Sequence, residues 1–446
     1  MRPSLRPPVA ERSFRSRAVD DFIETTRARI TDPQLGWLFG NCHPNTLDTT
    51  VWHECGDDGP DTFVITGDIH AMWLRDSTAQ VWPYLRHARE DAALQRMLCG
   101  LVRRQARCIL IDPCANAFNR EPVPSPEWSG DHTVMLPGVF ERKYEPDSLC
   151  AFLRLSHGYH AATGNTGCFD GKWLAAFDRV LETLREGQRG TVPGVPPAYR
   201  FERTTARAID SLPIRGTGYP ARACGLTRTP FRPSDDAAVF PYLIPANAMA
   251  VVCLRRMADL LGDVLGEEDR ARAARALADG IDEAIRACGV IHHPHAGRVF
   301  AYEVDGYGSA LFMDDANLPS LLSLPYLGYV AADDPVYRAT RAAVLSETNP
   351  FFFKGSALEG VGGPHAGIGF VWPMSLCMRI LTSTEAAEVE RCLLMLQSTH
   401  ADTGFMHEAI WMDDPARFTR PWFAWANSLF GETIVHVLER WPGLID

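Results

Sequence analysis

The sequence lacks an excess of positive charge and any long apolar run. Its 44 Lys and Arg residues are outnumbered by 55 Asp and Glu residues, giving a formal net charge of −11 at pH 7. A general nucleic-acid binder needs a basic face that displaces counterions, and docking on an anionic membrane needs charge of the same sign. No stretch reaches the roughly 18 uninterrupted apolar residues of a bilayer span. These absences argue against nucleic acid and membranes as partners.

The N-terminus also lacks the apolar core of a secretory signal, because Arg and Pro interrupt residues 1–8. This predicts a cytoplasmic protein. The 12 Cys residues are scattered and none forms a C-x-x-C pair. Scattered Cys in a chain of this length predict reduced thiols, many of them in the core, in place of a disulfide framework.

Sequence signatures of metal and phosphate sites are missing too. There is no H-E-x-x-H, no Walker loop, no strand-linked G-x-G-x-x-G and no G-x-S-x-G. The His-His-Pro-His run at residues 292–295, followed by Gly297, is typical of an exposed turn. The glycine-rich residues 355–365 lack the Lys of a phosphate loop and are interpreted as a substrate loop that contains Glu359 and His365. We therefore expect no metal and no cofactor.

Hydrophobic residues recur with helical period along most of the chain, between loops rich in Gly, Pro and Asp. Residues 267–288 give the clearest signal, with Glu267 and Glu268 in the first turn and Gly289 after the last. Short strands are predicted at residues 62–66 and 299–304. The pattern predicts about twelve helices, at residues 18–31, 76–88, 90–109, 146–162, 171–187, 242–262, 267–288, 315–328, 335–346, 371–382, 384–399 and 421–440.

No composition shift marks a domain boundary after the first residues. The Pro- and Arg-rich residues 1–15 are predicted to form a flexible arm, and residues 16–446 a single catalytic domain. About twelve helices in one uniform chain suggest six hairpins closed into a toroid, an all-α (α/α)6 barrel whose long loops and few short strands form the active-site face. A helical-repeat scaffold is the rival, but no repeat period is visible.

Polar and aromatic residues concentrate in four loop segments. The first, residues 66–77, places Asp68, Arg75 and Asp76 around Trp73, just before a predicted helix. An Arg and an Asp together offer a donor fork and an acceptor pair, which match the vicinal hydroxyls of a sugar. A salt bridge between Arg75 and Asp76 that caps the helix is the structural alternative.

The next two segments are rich in carboxylates. One begins with Glu141 and Arg142, and it is equally well a solvated capping turn. The other contains the adjacent residues Asp235 and Asp236. Two adjacent carboxylates oppose each other's ionisation, so one of them can keep the proton that a general acid needs. A plain helix cap is the alternative.

The fourth segment contains Glu408, which follows His407 and lies between aromatic residues in the sequence. Glu408 is a candidate general base, and Trp422 and Trp425 are candidate stacking platforms. Each of the four segments, taken alone, is more often structural than catalytic.

Taken in order, the four segments resemble the exo-α-1,6-mannosidases of glycoside hydrolase family 125. The resemblance spans nearly the whole chain, and its most specific pieces are residues 72–77, 141–145, 232–236 and 423–428. It implies an (α/α)6 barrel, metal-independent hydrolysis of α-1,6-mannosides from the non-reducing end, and inversion at the anomeric carbon. The implied partner is a mannose-containing oligosaccharide or N-glycan fragment.

The resemblance also implies residue roles. The general acid falls in Arg-Pro-Ser-Asp-Asp, as Asp235 or Asp236, and the general base is Glu408 of Met-His-Glu. An inverting enzyme holds two such carboxyls about 6.5–9.5 Å apart, so that a water molecule fits between. A wider set is expected to grip or stack on the mannose: Asp68, His70, Trp73, Arg75, Asp76, Glu141, Arg142, Asn247, Glu359, His365, Trp372, Trp422 and Trp425.

The sequence departs from the family pattern at His70, where Pro is usual, and at Ala409, where Ser is usual. The first departure bears on linkage preference. Two other classes of function fit the same fold. A glycoside phosphorylase would use phosphate in place of water, and a non-catalytic toroid would bind mannosides without turnover.

Overall fold

The computed structural model describes residues 2–446, and most of their regular structure is helical. Several helices begin at a side-chain cap. Asp32 accepts the N–H groups of Gln34 and Leu35, and Pro33 occupies the first helical position. The helices are α1 Arg17–Arg29, α2 Pro33–Cys42, α3 Asn45–Thr49, α4 Leu74–Val81, α5 Ala92–Ile111, α6 Pro146–Thr163, α7 Gly171–Gly187, α8 Pro213–Gly216, α9 Ile244–Asp259, α10 Glu268–Ala284, α11 Leu324–Leu327, α12 Pro335–Val344, α13 Pro373–Leu381, α14 Ala386–Ser398 and α15 Ala424–Arg440.

The strands are short and pair as small antiparallel sheets. The longest pair joins β1 to β2, in register from Val51 with Val64 to Gly56 with Gly59. The strands are β1 Val51–Gly56, β2 Gly59–Val64, β3 Met72–Trp73, β4 Ala117–Phe118, β5 Val139–Glu141, β6 Tyr242–Leu243, β7 Val290–His293, β8 Gly297–Phe300, β9 Glu303–Val304, β10 Ala310–Leu311, β11 Phe352–Lys354, β12 Glu359–Val361, β13 Phe370–Val371, β14 Ile410–Trp411 and β15 Asp414–Phe418.

The chain divides into two compact units. Of the described residues, the first unit comprises residues 2–105, 158–168 and 352–446, and the second comprises residues 106–157 and 169–351. The division describes packing alone, and the single-domain organisation stays a prediction.

In the first unit, α15 is the central helix. It packs against α2, α4 and α13, and residues from Ala424 to Leu438 are mostly buried. Burial of apolar side chains contributes about 25 cal/mol per Å² removed from water, so an apolar helix of this kind is stable only inside such a core. The N-terminal turn of α15 is therefore held rigidly beside the loops that precede it.

In the second unit, α9 packs along α10, and α10 also contacts α7. The alanines of α10 that face this core, Ala271, Ala274 and Ala278, are small enough for close helix approach. Both α9 and α10 end in π-helical turns, at Leu260–Val264 and Ile285–Gly289.

The segment predicted as an arm makes specific contacts within the first unit. The Arg6 guanidinium donates to Asp48 Oδ2 at 2.7 Å and to Asp20 Oδ1 at 2.7 Å. The indole of Trp37 donates to the Pro3 carbonyl at 2.7 Å. Residues 2–15 thus dock on α1, α2 and α3 through hydrogen-bonded and charged groups.

Most helices predicted from periodicity are present, within a few residues of their expected ends. The helix predicted at residues 315–328 is wrong, because that described stretch contains only the short helix α11. Asp315 accepts the Asn317 N–H, Asp314 accepts two further N–H groups, and Pro319 has none to donate. The sequence analysis also did not predict α2. Buried residues lie on all sides of this helix, so no polar face reveals its helical period.

All 12 Cys residues are free thiols, as predicted, and eight of them are buried. Within residues 2–446, no helix is both long and apolar enough to cross a bilayer. The same residues contain no group of three or more His, Cys, Asp and Glu side chains arranged to hold a metal ion.

Candidate active site

The turn that carries Asp235 lies in the second unit and is closed by two backbone hydrogen bonds. The Arg232 N–H donates to the Asp236 carbonyl at 2.8 Å, and the Asp235 N–H donates to the Arg232 carbonyl at 2.9 Å. Asp235 has a φ of 64°, a left-handed conformation that costs a non-glycine residue about 1–3 kcal/mol and is concentrated at functional sites. The Lys143 ammonium donates to the Asp235 carbonyl at 2.8 Å and helps hold this conformation.

The base of this turn is anchored in the interior. Arg232 Nε donates to Glu303 Oε1 at 2.6 Å, and both side chains are almost fully buried. The other oxygen, Glu303 Oε2, accepts the N–H groups of Val239 and Phe240. Phe231, just before the turn, lies in a small buried apolar cluster. The turn is therefore rigid at the point where its carboxyls project.

The two adjacent carboxylates of the turn have different environments. Asp236 is 0% exposed, whereas Asp235 is half-buried. Burial raises the pKa of the neighbouring Asp315, and the charge of Asp236 raises it further. The Ser234 hydroxyl donates to Asp315 Oδ2 at 3.0 Å. Asp236 thus belongs to a buried acidic group beneath the turn, and Asp235 is the member of the pair with exposed surface.

The side chain of Asp235 is connected to that of Glu141 through Asn116. Asn116 Nδ2 donates to Glu141 Oε2 at 2.9 Å and to Asp235 Oδ1 at 3.1 Å, while Asn116 Oδ1 accepts the Lys143 N–H at 3.0 Å. Local folding explains the contact, because Asn116 immediately precedes β4 and the register pairs Ala117 with Glu141 of β5.

Carboxylates outnumber cations in this part of the second unit. Arg203 contacts Asp131 and Glu141 at 2.6 and 2.9 Å, and the Lys143 ammonium lies 3.8 Å from Glu141. Burial alone would lower the pKa of Lys143, but the charges of Glu141 and Asp235 outweigh burial and raise it. The cluster contains four carboxyls, Asp131, Glu141, Asp210 and Asp235, and three cations, Lys143, Arg203 and Arg207.

The two arginines nearest this cluster are held by neighbours. Arg142 Nε donates to Asp112 Oδ2 at 2.6 Å, and its guanidinium lies 5.2 Å from the centre of the Tyr199 ring. Arg203 stacks on Trp128, with its guanidinium carbon 3.6 Å from the ring centre. A sugar contact of Arg142 would therefore use guanidinium N–H groups that Asp112 does not already accept.

Glu408 lies in the first unit and is 7% exposed. It precedes β14, and the β14–β15 hairpin brings Thr419 beside it. The Thr419 hydroxyl donates to Glu408 Oε2 at 2.8 Å, and Arg420 Nε lies 3.3 Å from Glu408 Oε1. Both oxygens of the Glu408 carboxyl are thus contacted by donors.

Arg420 also connects Glu408 to the first predicted segment. Its Nη1 donates to Asp68 Oδ1 at 2.8 Å, and the Asp68 side chain is 47% exposed. His70 is exposed on the same loop. His407 is stacked on Phe418 with ring centres 3.9 Å apart, and burial lowers its pKa. His407 is therefore a packed ring that lies next to Glu408 in the sequence and contacts the Arg420 carbonyl at 2.8 Å.

Arg75 and Asp76 lie in the first turn of α4 and are both nearly buried, at 5% exposed. The Thr66 hydroxyl donates to Asp76 Oδ1 at 2.7 Å, and Arg75 Nη2 lies 3.6 Å from Asp76 Oδ2. The Arg75 guanidinium lies 5.5 Å from the Trp425 ring centre. Trp73 is buried just before them. The structure thus brings Trp73, Arg75 and Asp76 of the first predicted segment together with Trp425 of the fourth.

The remaining predicted aromatic residues lie in the first unit. Trp422 is half-buried, and a Cβ added at Gly67 would lie 3.3 Å from its ring. Gly67 has a φ of 127°, so both the conformation and this close approach require glycine. Trp372 is buried, with His365 6.1 Å from it between ring centres. Of these rings, Trp422 has the exposed surface that a stacking platform needs.

Two predicted sugar contacts have structural partners instead. Asn247 is 0% exposed, its Oδ1 accepts the Thr227 N–H, and its Nδ2 donates to the carbonyls of Thr227 and Leu243. Since both amide hydrogens are used, Asn247 fixes the backbone, and its assignment as a sugar ligand is corrected. Glu359 lies between Arg379 and Lys354, each 3.4 Å away, and stabilises β12.

A profile of the family described as metal-independent α-mannosidases (GH125) matches residues 32–435 of this chain. The chain belongs to this family. A Streptococcus pneumoniae GH125 enzyme, solved as a non-productive substrate complex with α-1,6-mannobiose, is 39% identical and superposes with a TM-score of 0.91, covering 96% of this chain and 100% of that one. The meiotically up-regulated gene 157 protein of Schizosaccharomyces pombe is 45% identical over 99% of this chain and 90% of its own length.

A bacterial glucoamylase solved with acarbose shares the fold at 12% identity and a TM-score of 0.56, covering 94% of this chain and 58% of that one. The close match to the pneumococcal GH125 enzyme confirms the predicted all-α fold of the (α/α)6 class. The resemblance recognised in the sequence is therefore confirmed at the level of the family.

Several residues around the GH125 carboxylates were missed by sequence reasoning. Asn116, Arg203, Thr419 and Arg420 contact Asp235, Glu141 or Glu408 directly. Thr419 and Arg420 follow the short strand β15. If the sequence analysis had predicted the hairpin of β14 and β15, it would have placed these two residues beside Glu408. Asn116 and Arg203 carry no local signal, because their partners lie 25 or more positions away.

Proposed function

We propose that this GH125 protein is an exo-acting, inverting α-mannosidase that hydrolyses non-reducing terminal α-1,6-linked mannose. Membership of the family supports α-mannosidase chemistry without a metal. The α-1,6-mannobiose bound to the pneumococcal relative supports the linkage. A mannose-containing oligosaccharide or N-glycan fragment is the proposed substrate, and the cytoplasmic location stays a prediction.

The proposed general acid is Asp235. The observation that carries this choice is the contrast between the buried Asp236 and the half-buried Asp235, whose strained backbone is held by the Lys143 ammonium. A general acid must reach the glycosidic oxygen and must carry a proton near neutral pH. Asp235 has the partly exposed surface that the first requirement needs.

The proposed general base is Glu408. Thr419 and Arg420 contact its two oxygens and fix the orientation in which the carboxyl would accept a proton from water. In this proposal, the proton of Asp235 passes to the leaving oxygen while a water proton passes to Glu408, and the hydroxide adds to the opposite face of the sugar. The result is β-mannose and a shortened glycan. The oxocarbenium-like transition state is cationic, and carboxylates stabilise it.

The proposed grip on the terminal mannose combines a charged pair with aromatic surface. Asp68 is exposed, and Arg75 and Asp76 form a rigid donor and acceptor set at the start of α4. The half-buried Trp422 offers the exposed part of its ring for stacking on the sugar. We keep Asp68, Arg75, Asp76 and Trp422 as the proposed sugar contacts.

The experiment compares Asp235→Asn, Asp236→Asn and Glu408→Gln with the parent on α-1,2-, α-1,3- and α-1,6-mannobiose. We expect turnover of the α-1,6 isomer alone, and a fall in kcat of about 10²–10⁴-fold for Asp235→Asn and Glu408→Gln with folding intact. Parent rates in both of these variants would refute the assignment. If Asp236→Asn alone lost activity with its fold intact, the acid would have to be reassigned.

Two outcomes of the same experiment correspond to the other functions considered. A rate that depends on phosphate, with mannose 1-phosphate as product, indicates a phosphorylase. Binding of mannobiose without product indicates a non-catalytic mannoside binder.

A further inference from the structure

We infer that Arg420 is a positioning residue for Glu408: its guanidinium holds one oxygen of this carboxyl in the orientation from which water is deprotonated. The inference rests on the proposed function, in which Glu408 is the general base. Arg420 acts through Glu408 and is not itself a catalytic residue.

The carboxyl of Glu408 takes its orientation from protein groups. The residue is 7% exposed, so little solvent surrounds it. The Thr419 hydroxyl donates to Glu408 Oε2 at 2.8 Å, and Arg420 Nε lies 3.3 Å from Glu408 Oε1. A carboxyl held through one oxygen can still turn about that contact, whereas contacts at both oxygens restrict its plane. Arg420 therefore supplies the second of the two contacts that orient the proposed base.

Arg420 is itself anchored through its side chain and its backbone. Its Nη1 donates to Asp68 Oδ1 at 2.8 Å, and its carbonyl lies 2.8 Å from His407 Nδ1. A carbonyl oxygen can only accept, so His407 Nδ1 carries the hydrogen of this bond. The Arg420 guanidinium also lies 5.8 Å from the centre of the Phe423 ring. These contacts fix the guanidinium beside Glu408.

The β14–β15 hairpin explains why Arg420 lies next to Glu408. The Thr419 N–H donates to the Ala409 carbonyl at 3.0 Å, and the Ala409 N–H donates to the Thr419 hydroxyl at 3.2 Å. In an antiparallel pair, the residue after Thr419 lies beside the residue before Ala409, and these are Arg420 and Glu408. None of these bonds uses the Arg420 side chain, so we expect the pairing to survive its substitution.

The test removes the Arg420 guanidinium in two backgrounds, the parent and Glu408→Gln. Arg420→Met keeps an unbranched side chain and removes the donors that face Glu408 and Asp68. In the parent we expect kcat on α-1,6-mannobiose to fall by about 10- to 100-fold, the cost of a misplaced reacting group. Glu408→Gln has no base to position, so we expect the same substitution to change its kcat by less than about threefold. Enzyme concentration is raised to keep the slow variants measurable.

Arg417→Met is the matched control. Arg417 lies on the same hairpin, three positions earlier, and its guanidinium packs on the Trp411 and Phe370 rings at 4.4 and 5.3 Å from their centres. We expect its kcat to stay within about twofold of the parent, because it is an exposed surface substitution. A fall equal to that of Arg420→Met would assign the effect to the hairpin as a whole and would overturn the inference.

Arg420→Lys serves if the methionine variant folds poorly. Lysine keeps the charge but replaces a planar fork of donors with one ammonium. We expect kcat to fall by about 3- to 30-fold in the parent and to change by less than about threefold in Glu408→Gln. A parental rate in Arg420→Lys would show that charge alone is enough, and the positioning role would be wrong.

The Glu408→Gln background separates a failure of this inference from a failure of the proposed function. If Glu408→Gln loses activity but Arg420→Met lowers kcat by the same factor in both backgrounds, or lowers it in neither, the positioning role alone is wrong. If Glu408→Gln itself keeps the parental rate, Glu408 is not the base and both proposals fail.

Discussion

The ion pair beneath the Asp235 turn gives the sharpest prediction about how the candidate site is held. In Glu303→Gln, the side chain keeps its size but loses its charge. One oxygen of Glu303 now accepts from Arg232 and the other from two backbone N–H groups. An amide has one oxygen, so its nitrogen must face a donor whichever way it turns.

The size of the effect follows from burial. The Arg232 and Glu303 side chains are 3% and 0% exposed, so the substitution leaves a buried cation without its counter-charge. Breaking a buried pair in this way costs about 3–5 kcal/mol. Arg86 and Glu439 are equally close, at 2.6 Å, but their side chains are 43% and 57% exposed. An exposed pair contributes about 0–1 kcal/mol, so Glu439→Gln is the matched control.

Urea-induced unfolding, followed by tryptophan fluorescence at one fixed pH, measures both variants against the parent. We expect Glu303→Gln to lower the free energy of unfolding by about 3–5 kcal/mol and Glu439→Gln by less than about 1 kcal/mol. Equal small changes in the two variants would refute the reasoning that the buried pair anchors the turn.

Three further predictions concern packing, pH and the proposed base. In Gly431→Ala the new Cβ would collide with the His43 ring, so we expect the free energy of unfolding, measured by urea titration, to fall by about 1–3 kcal/mol. Gly280 has open space around it, so Gly280→Ala should raise the free energy of unfolding by about 0.5–1 kcal/mol. An increase in both variants would contradict the packing around Gly431. Burial raises the pKa of Asp314 to about 8, so the folded chain keeps a proton that the unfolded chain releases. The free energy of unfolding should then fall from about pH 4 to pH 8 by up to about 1.4 kcal/mol per unit, and Asp314→Asn should lack this part of the slope; an unchanged slope would count against it. Thr419→Val removes a donor to the proposed base and should lower kcat on α-1,6-mannobiose about tenfold with unchanged stability, and a parental rate would show the hydroxyl to be dispensable.

The helices were predictable where amphipathic period and end signals agree. Residues 171–187 and 335–346 begin at Asp170 and Asp334, whose carboxylates accept two N–H groups each, and the predicted limits lie close to those of α7 and α12. Residues 315–328 have a helix-like apolar content, but Asp and Asn side chains bond the backbone there and Pro interrupts it. Whether a helix forms at these residues is therefore decided by side chains that compete for the backbone hydrogen bonds.

The sequence predicted which segments contain the candidate site residues, but it did not predict the role of each residue. Asp235 and Asp236 are equivalent in sequence, and only the left-handed turn makes one half-buried and the other fully buried. In the sequence, Asn247 is a polar residue within a predicted helix, but in the structure its amide donates hydrogen bonds to backbone carbonyls. Asn116 belongs to no motif, and its contacts with Glu141 and Asp235 depend on the pairing of β4 with β5. Roles that depend on burial and on long-range pairing require the folded structure.

The most direct test of the proposed function is the anomeric form of the mannose released from α-1,6-mannobiose, followed by proton NMR during the first minutes of hydrolysis. The proposed inverting mechanism, with Asp235 as acid and Glu408 as base, predicts that β-mannose appears first and that the α anomer grows only by later mutarotation. First appearance of α-mannose would contradict inversion, and absence of hydrolysis would contradict the proposed activity itself.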